Sequence, residues 1–251
     1  MRFARSWAGR GFCPRHNEMS AFVDLHIHSC LSPCAQDDMT PWNLVGMARV
    51  KGLRVVAITD HNTAKNAPAA MAAGEEYGVS VIPGMEITSR EEVHILGYFP
   101  AVENALAAGE EVYAHLAGVR NRPALFGNQI LVNLDDEPCG TLDKLLIGAT
   151  DLTVDAVRAL VAAHGGVSVP AHINRGSNGM LGALGFMPPL PVFPVAEVYR
   201  GAPCPAHATQ GRFVLHSSDA HRLEDISEAD FSLEVPPKAS EVLALFRALG
   251  A

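Results

Sequence analysis

From Phe22 onward, short apolar runs alternate with amphipathic stretches, and no other feature narrows the fold as much. Strand-like runs occupy residues 22–27, 53–59, 79–82, 93–99, 167–171, 196–199 and 213–215. Between them, residues 41–50, 64–77, 102–119, 153–164 and 239–249 carry helical spacing. The first of these helices has Thr40 as its N-cap, Pro41 at the first helical position and Gly52 just past its end. Such alternation predicts a parallel sheet covered by helices, either a closed barrel or an open doubly wound sheet. One segment breaks the pattern. Residues 129–134, a turn at 135–138 and a second run at 142–147 predict a β-hairpin insertion over about 126–147.

The chain has 251 residues, 48% of them hydrophobic, which is ample for one barrel-sized domain. No apolar stretch is long enough to span a bilayer. Five cysteines, odd in number and irregularly spaced, argue against a secreted disulfide framework and for a reducing, cytoplasmic setting. A formal net charge of -8 disfavours a broad nucleic-acid-binding face, and with it long duplex partners. The first eighteen residues stand apart, because Arg2, Arg5, Arg10 and Arg15 are balanced only by Glu18 and no apolar periodicity runs through them. Residues 1–20 are therefore expected to be a disordered extension, and 21–251 a single domain.

Eleven histidines are the compositional outlier, and their placement is ordered. Asp24, His26 and His28 run through and past the first strand, Asp60 and His61 follow the second, and Glu86 follows the third. His94 lies in the fourth, His172 directly follows the fifth, and Asp219 and His221 follow the last. The carboxyl ends of parallel barrel strands converge on one face, where catalytic residues gather. In His26-x-His28 the two rings project to one side of an extended chain, and Asp219-x-His221 repeats the spacing with a mixed pair. Nitrogen and oxygen donors together suit zinc, manganese or iron rather than a soft thiolate site. The donors are too many for one tetrahedral ion, so two to three divalent ions are expected.

The ordered blocks Asp24-Leu-His26-Ile-His28, Thr59-Asp60-His61-Asn62, Pro83-Gly84-Met85-Glu86, Val93-His94-Ile95-Leu96-Gly97-Tyr98, Pro170-Ala171-His172 and Ser218-Asp219-Ala220-His221 resemble the PHP (polymerase and histidinol phosphatase) family of metal-dependent phosphoesterases. The resemblance covers about residues 23–226. It implies a distorted seven-stranded β/α barrel, TIM-like, with a trinuclear metal centre. Carried over, His26, His28, Glu86 and Asp219 bind one ion. An acid after the first motif binds the second with His61 and His221, and Glu86, His94 and His172 hold the third. That acid usually follows after a short gap. Here residues 29–36 intervene, so Asp38, beside the helix start, is the expected ligand and Asp37 the alternative.

The implied activity is hydrolysis of a phosphomonoester, small or nucleotide-like, by a metal-bound hydroxide, with Glu86, Asp219 and His221 catalytic. A divalent ion lowers the pKa of bound water from 15.7 to about 7. Three ions against the carboxylates of Asp38, Glu86 and Asp219 leave a positive pocket inside an acidic protein, suited to a phosphate dianion. Arg175, three residues past His172, is the expected phosphate clamp, and Arg200 a weaker candidate. His221 or His26 could protonate the leaving group if free of metal. Two other readings are an exonuclease acting on short RNA or DNA and a non-catalytic metal-binding barrel. A groove with stacking aromatics near 126–147 would favour the nuclease. Asp24 and Asp60 are expected to orient ligands or cap turns, Glu197 to form an ion pair at the core or rim, and Cys30 and Cys34 to belong to a buried loop.

Overall fold

A computed structural model of the protein describes residues 19–190 and 192–250. The disorder expected for the N-terminal extension therefore falls outside the described residues, apart from Met19 and Ser20. Among the described residues ten strands are formed: β1 (Ala21–Ile27), β2 (Val55–Ile58), β3 (Ser80–Thr88), β4 (His94–Tyr98), β5 (Ile130–Val132), β6 (Pro138–Thr141), β7 (Val167–Pro170), β8 (Val195–Glu197), β9 (Phe213–Leu215) and β10 (Ser232–Leu233). The helices are α1 (Pro41–Val50), α2 (Ala67–Tyr77), α3 (Val102–His115), α4 (Pro123–Phe126), α5 (Val154–Ala163), α6 (Met180–Leu184), α7 (Ala206–Thr209) and α8 (Ala239–Leu249). Local chemistry sets several of these ends. Thr40 accepts from the Asn43 N–H to cap α1, and Gly78, at φ 67°, lets the chain leave α2 in a left-handed turn.

The main sheet has the order β10-β1-β2-β3-β4-β7. β1, β2 and β3 pair in parallel, as the alternation predicts, but β4 is antiparallel to both β3 and β7, and β10 is antiparallel to β1. The link between Thr88 and His94 is too short for a helical crossover, so β4 must double back on β3. β8 and β9 form a separate parallel pair, and a bridge between Ile27 and Ala220 ties the segment after β9 back to β1. The result is an α/β fold with a curled, half-barrel sheet. The distorted seven-stranded β/α barrel expected from the resemblance is met in its α/β class and curled sheet, but a fully hydrogen-bonded ring is not shown, because β4 is reversed and β8–β9 pairs apart from the main sheet.

Leu25, Val55, Ala57, Ile82 and Leu96 pack with Val242, Leu243 and Phe246 of α8 in one buried cluster. α8 begins beside the amino end of β3, where its Ala239 N–H donates to Ser80 Oγ at 2.8 Å, which leaves the carboxyl ends of β1–β3 free of this helix. Among the described residues no helix is long and apolar enough to cross a membrane.

The insertion hairpin pairs β5 with β6, Ile130 opposite Thr141 and Val132 opposite Pro138. Its second strand is therefore 138–141 and not 142–147. Asn133 Oδ1 accepts the N–H groups of Asp135 and Glu137, which turns the chain earlier than the sequence suggests, with Asp136 at φ 64°. Gln129 holds residues 142–146 as a loop, donating to the carbonyls of Leu142 and Lys144 and accepting from the Leu146 N–H.

Candidate metal centre

The strands deliver the histidines and acids to one end of the sheet. β1 carries His26 and ends just before His28, β2 ends just before Asp60 and His61, and β7 ends just before His172. β3 continues beyond its pairing with β2 and carries Glu86 against β4. Because β4 is reversed, its first residue, His94, also lies at this end, opposite Thr88. Asp219 and His221 follow β9, drawn in by the Ile27–Ala220 bridge. His172, at φ 26°, and Asp219, at φ 54°, hold the left-handed backbone that non-glycine residues seldom adopt, a strain common where side chains are aimed at a site.

Glu86 is the hub. Its oxygens lie 2.8 Å from His94 Nδ1, 3.1 Å from His172 Nε2, 3.1 Å from His61 Nδ1, 3.3 Å from His26 Nε2 and 3.4 Å from His28 Nε2. Asp219 Oδ1 sits 3.2 Å from both His26 Nε2 and His28 Nε2. The ring of His28 stacks on that of His221 with centroids 4.3 Å apart. Among the described residues three overlapping groups have donors near enough to share an ion: His26, His28, Glu86 and Asp219; His28, His61 and His221; and His61, Glu86 and His94.

Neighbouring groups set the tautomers. His26 Nδ1 donates to Glu197 Oε2 at 2.9 Å. His28 Nδ1 meets Ser32 Oγ at 2.9 Å, and that hydroxyl donates in turn to Asp60 Oδ1 at 2.7 Å, so the imidazole is the donor of the first bond. His221 Nδ1 donates to the Asp219 carbonyl at 2.8 Å. Each contact leaves Nε2 with its lone pair, as a metal-binding imidazole requires. The Nε2 atoms of His26 and His28 are then only 3.2 Å apart, with carboxylates on either side. Lone pairs this close are satisfied by a cation or by shared protons. Buried Nδ1 of His61, Nδ1 of His172 and Oε1 of Glu197 make no hydrogen bond. The donor set fits a multinuclear divalent site.

The electrostatics agree. Burial lowers the pKa of His28, but hydrogen bonds and charge from Asp219 and Glu86 outweigh it and raise the value to about 9. His61 is likewise pulled down by burial but raised to about 9 by Cys34 and Glu86. Burial pushes Glu86 up, yet the rings of His94 and His26 hold it well below the ordinary carboxylate range. His221 is held down to about 3, by burial first and then by His28.

The structure thus brings together His26, His28, His61, Glu86, His94, His172, Asp219 and His221, and leaves out Asp38. The long loop after His28 carries Asp37 and Asp38 onto the surface. There Asp37 accepts both contacts of the Asn128 amide, at 2.8 and 3.0 Å, and Asp38 offers only its carbonyl to Asn43. Arg175 does reach the site. It pairs with Asp219, lies over the Tyr199 ring at 4.4 Å and lines a cavity of about 110 Å³ with His61, Glu86, His94, His172 and Asp219. Arg200 pairs with Asp230 beside a different cavity.

Asp24 touches no imidazole ring. Its carboxylate receives the N–H groups of Ser218 and Ser227, tying down the loop that carries Asp219 and His221. Asp60 does the same for the first loop through Ser29 and Ser32. Glu197 forms the buried ion pair expected of it, and its partner is the His26 ring of the cluster at 2.9 Å. Cys34 is exposed, contrary to the buried loop expected for it, whereas Cys30 is buried.

Comparison with known proteins gives this geometry a context. The family model for the PHP domain matches residues 24–138. A 5'-3' exoribonuclease of Haemophilus influenzae is 35% identical over 32% of this chain and 29% of its own. A 3',5'-nucleoside bisphosphate phosphatase of Chromobacterium violaceum is 37% identical over 36% of this chain and 32% of its own. The matches span about half the length of such curated relatives, or less. A solved structure of a Bifidobacterium adolescentis protein superposes with a TM-score of 0.56 at 20% identity, over 91% of this chain and 96% of that one, a likeness of fold.

Proposed function

The chain carries a PHP domain, and from that premise we propose that it is a metal-dependent phosphoesterase hydrolysing a phosphomonoester, small or nucleotide-like, at the cluster around Glu86. One observation carries the reading: six residues of the cluster, His61, Glu86, His94, His172, Asp219 and His221, line the same cavity of about 110 Å³ as Arg175. That volume is well below the roughly 300 Å³ of a pocket that encloses a whole ligand, so it suits a phosphate group with the rest of the substrate outside.

In this reading His26, His28, Glu86 and Asp219 hold one ion, His61 and His221 contribute to a second, and Glu86, His94 and His172 to a third. Bound divalent ions supply positive charge for the phosphate and lower the pKa of a water molecule into the neutral range. Arg175, braced against Tyr199, presents a planar fork that matches two phosphate oxygens. Glu197, Ser32 and Asp60 keep the rings of His26 and His28 in their ligand tautomers. His221, with its pKa held near 3, is a neutral imidazole at physiological pH, which suits a ligand and not an acid for the leaving group.

The relatives bring two substrate classes, nucleoside bisphosphates and RNA ends. The cavity of about 420 Å³ beside the insertion hairpin is lined by Arg120, Arg122, Asn128, Gln129 and Leu142 among others, and no aromatic ring takes part. This supports the small substrate over a stacked oligonucleotide. The test is a metal-loaded screen of phosphomonoesters, 5'-phosphorylated oligonucleotides and their unphosphorylated counterparts. Release of inorganic phosphate from monoesters is expected. Release of nucleotides instead makes the protein a nuclease, and no hydrolysis with ions bound makes it a non-catalytic module.

A further inference from the structure

We infer that Asn174 is the positioning residue of the phosphate site: its side-chain amide locks the segment carrying Tyr199 against the Arg175 loop and so holds the Arg175 guanidinium where it receives phosphate. The inference rests on the phosphoesterase reading of the same centre. Asn174 Nδ2 donates to the Tyr199 carbonyl at 2.9 Å and to the Ala202 carbonyl at 2.8 Å. Its Oδ1 accepts the Tyr199 N–H at 2.8 Å. One side chain thus grips both backbone polar groups of Tyr199. The guanidinium of the next residue, Arg175, lies over the Tyr199 ring at 4.4 Å. Two donors and an acceptor on one planar group are what an amide supplies, and neither a hydroxyl nor a carboxylate can replace them.

The rest of the loop is fixed as firmly. At its far end the Asn178 carbonyl accepts the His94 N–H at 2.9 Å, and Asn178 Nδ2 donates to the Glu92 carbonyl at 3.2 Å. A Cβ at Gly179 would come 2.6 Å from the Arg175 carbonyl oxygen, so the chain closes tightly behind Arg175. The Tyr199 ring is confined in turn, because a Cβ at Gly201 would lie 2.4 Å from its Cζ and Oη atoms. Arg175 also pairs with Asp219, which sets the guanidinium between that ring and the cluster. Arg175, Ser177 and Asn178 line the cavity of about 110 Å³ and Asn174 does not, so Asn174 acts on phosphate through its neighbours. Such a brace has a physical reason. A free arginine side chain loses much rotamer freedom on binding, and a guanidinium already held on a ring has less to lose.

The experiment loads the full chain with manganese or zinc, counts bound metal by elemental analysis and measures the binding of inorganic phosphate by titration calorimetry. Asn174→Ala should weaken phosphate about tenfold with the metal equivalents unchanged. On a hydrolysed monoester the same variant should raise KM and leave kcat unchanged. The double variant, Asn174→Ala with Arg175→Ala, separates positioning from a structural role. If Asn174 acts through Arg175, the double binds phosphate no more weakly than Arg175→Ala alone, whereas a structural residue adds a loss of its own. Unchanged phosphate affinity and KM in Asn174→Ala, a loss of bound metal in it, or a further loss in the double variant overturns the inference and leaves the phosphoesterase reading standing. Should Asn174→Ala fail to fold, Gly201→Ala decides, since it keeps the Asn174 amide and displaces the Tyr199 ring. Weaker phosphate binding is then expected, and native affinity overturns the inference. Phosphate binding with these effects but no hydrolysis of any phosphate ester overturns the phosphoesterase reading and leaves Asn174 in its role. A native chain that takes up neither ion, or that with ions bound neither binds phosphate nor hydrolyses a monoester, overturns both.

Discussion

Glu197 Oε2 accepts the Nδ1 proton of His26 at 2.9 Å, and the same oxygen receives the His172 N–H at 2.9 Å. One buried carboxylate thus sets the tautomer of one candidate ligand and the backbone position of another. Glu197→Gln keeps the shape but removes the charge. Partners of this kind cost about 10- to 100-fold in metal affinity when lost. Competition with a chromophoric chelator should show that drop for the ion bound by His26. Unchanged affinity would mean that Glu197 serves only the fold.

Arg175→Ala should raise KM for a phosphomonoester by about tenfold to a hundredfold, since a charged hydrogen bond contributes roughly 1.5–3 kcal/mol. The equivalents of bound metal should stay constant, because the variant removes a partner of Asp219 and not a ligand. Arg175→Lys should rescue only part of the loss, as an ammonium lacks the fork. A KM indistinguishable from the native value would remove Arg175 from the substrate site.

Metal uptake should release protons in a pH-dependent way. His28 and His61 have pKa values raised to about 9 in the ion-free fold, so at about pH 7 each carries a proton that a metal displaces. By about pH 10 both are already neutral and the release should shrink. Titration calorimetry in buffers of different ionisation enthalpy measures this. The linkage has a definite sign. A raised pKa stabilises the ion-free fold below the unfolded value of 6.5, and that contribution is lost as pH rises through about 9. The thermal rescue by added ions should therefore be larger at alkaline pH.

Chelation should soften the whole fold and not only silence the site, because strands β1, β3, β4 and β7 and the segment after β9 all send donors to it. An ion present at a hundredfold excess over its Kd adds about 2.7 kcal/mol of stability. For a domain of this size that corresponds to a rise in Tm of about 5–10 °C. Scanning calorimetry with and without chelator decides, and an unchanged Tm would contradict ion binding to the folded state.

Much of the fold and site was legible where the signal is local. α1 and α8 have the limits that the Thr40 cap, Pro41 and apolar spacing predict, and the His and acid blocks stand near the strand ends, where the structure gathers their side chains. β3 was cut short by its Pro83-Gly84 pair. In the structure Pro83 still pairs with Ile58 and Gly84 already pairs with Tyr98, so the strand changes partner there. Gly84 is needed because a Cβ would come 2.8 Å from the Gly97 carbonyl oxygen. Such a contact leaves no mark in the sequence near residue 84.

The amino-acid sequence by itself determined the α/β class, the positions of most elements and eight of the residues that meet around Glu86 and Asp219, because each rests on residue type and short-range spacing. Tertiary structure decided three things: the reversal of β4 that brings His94 to the right end, the placement of Asp38 on the surface away from the cluster, and the pairing of Glu197 with His26. These depend on which distant segments meet. Glu197 is 171 positions from His26, and a hydrogen bond of that span is set by how the sheet curls rather than by any pattern along the chain.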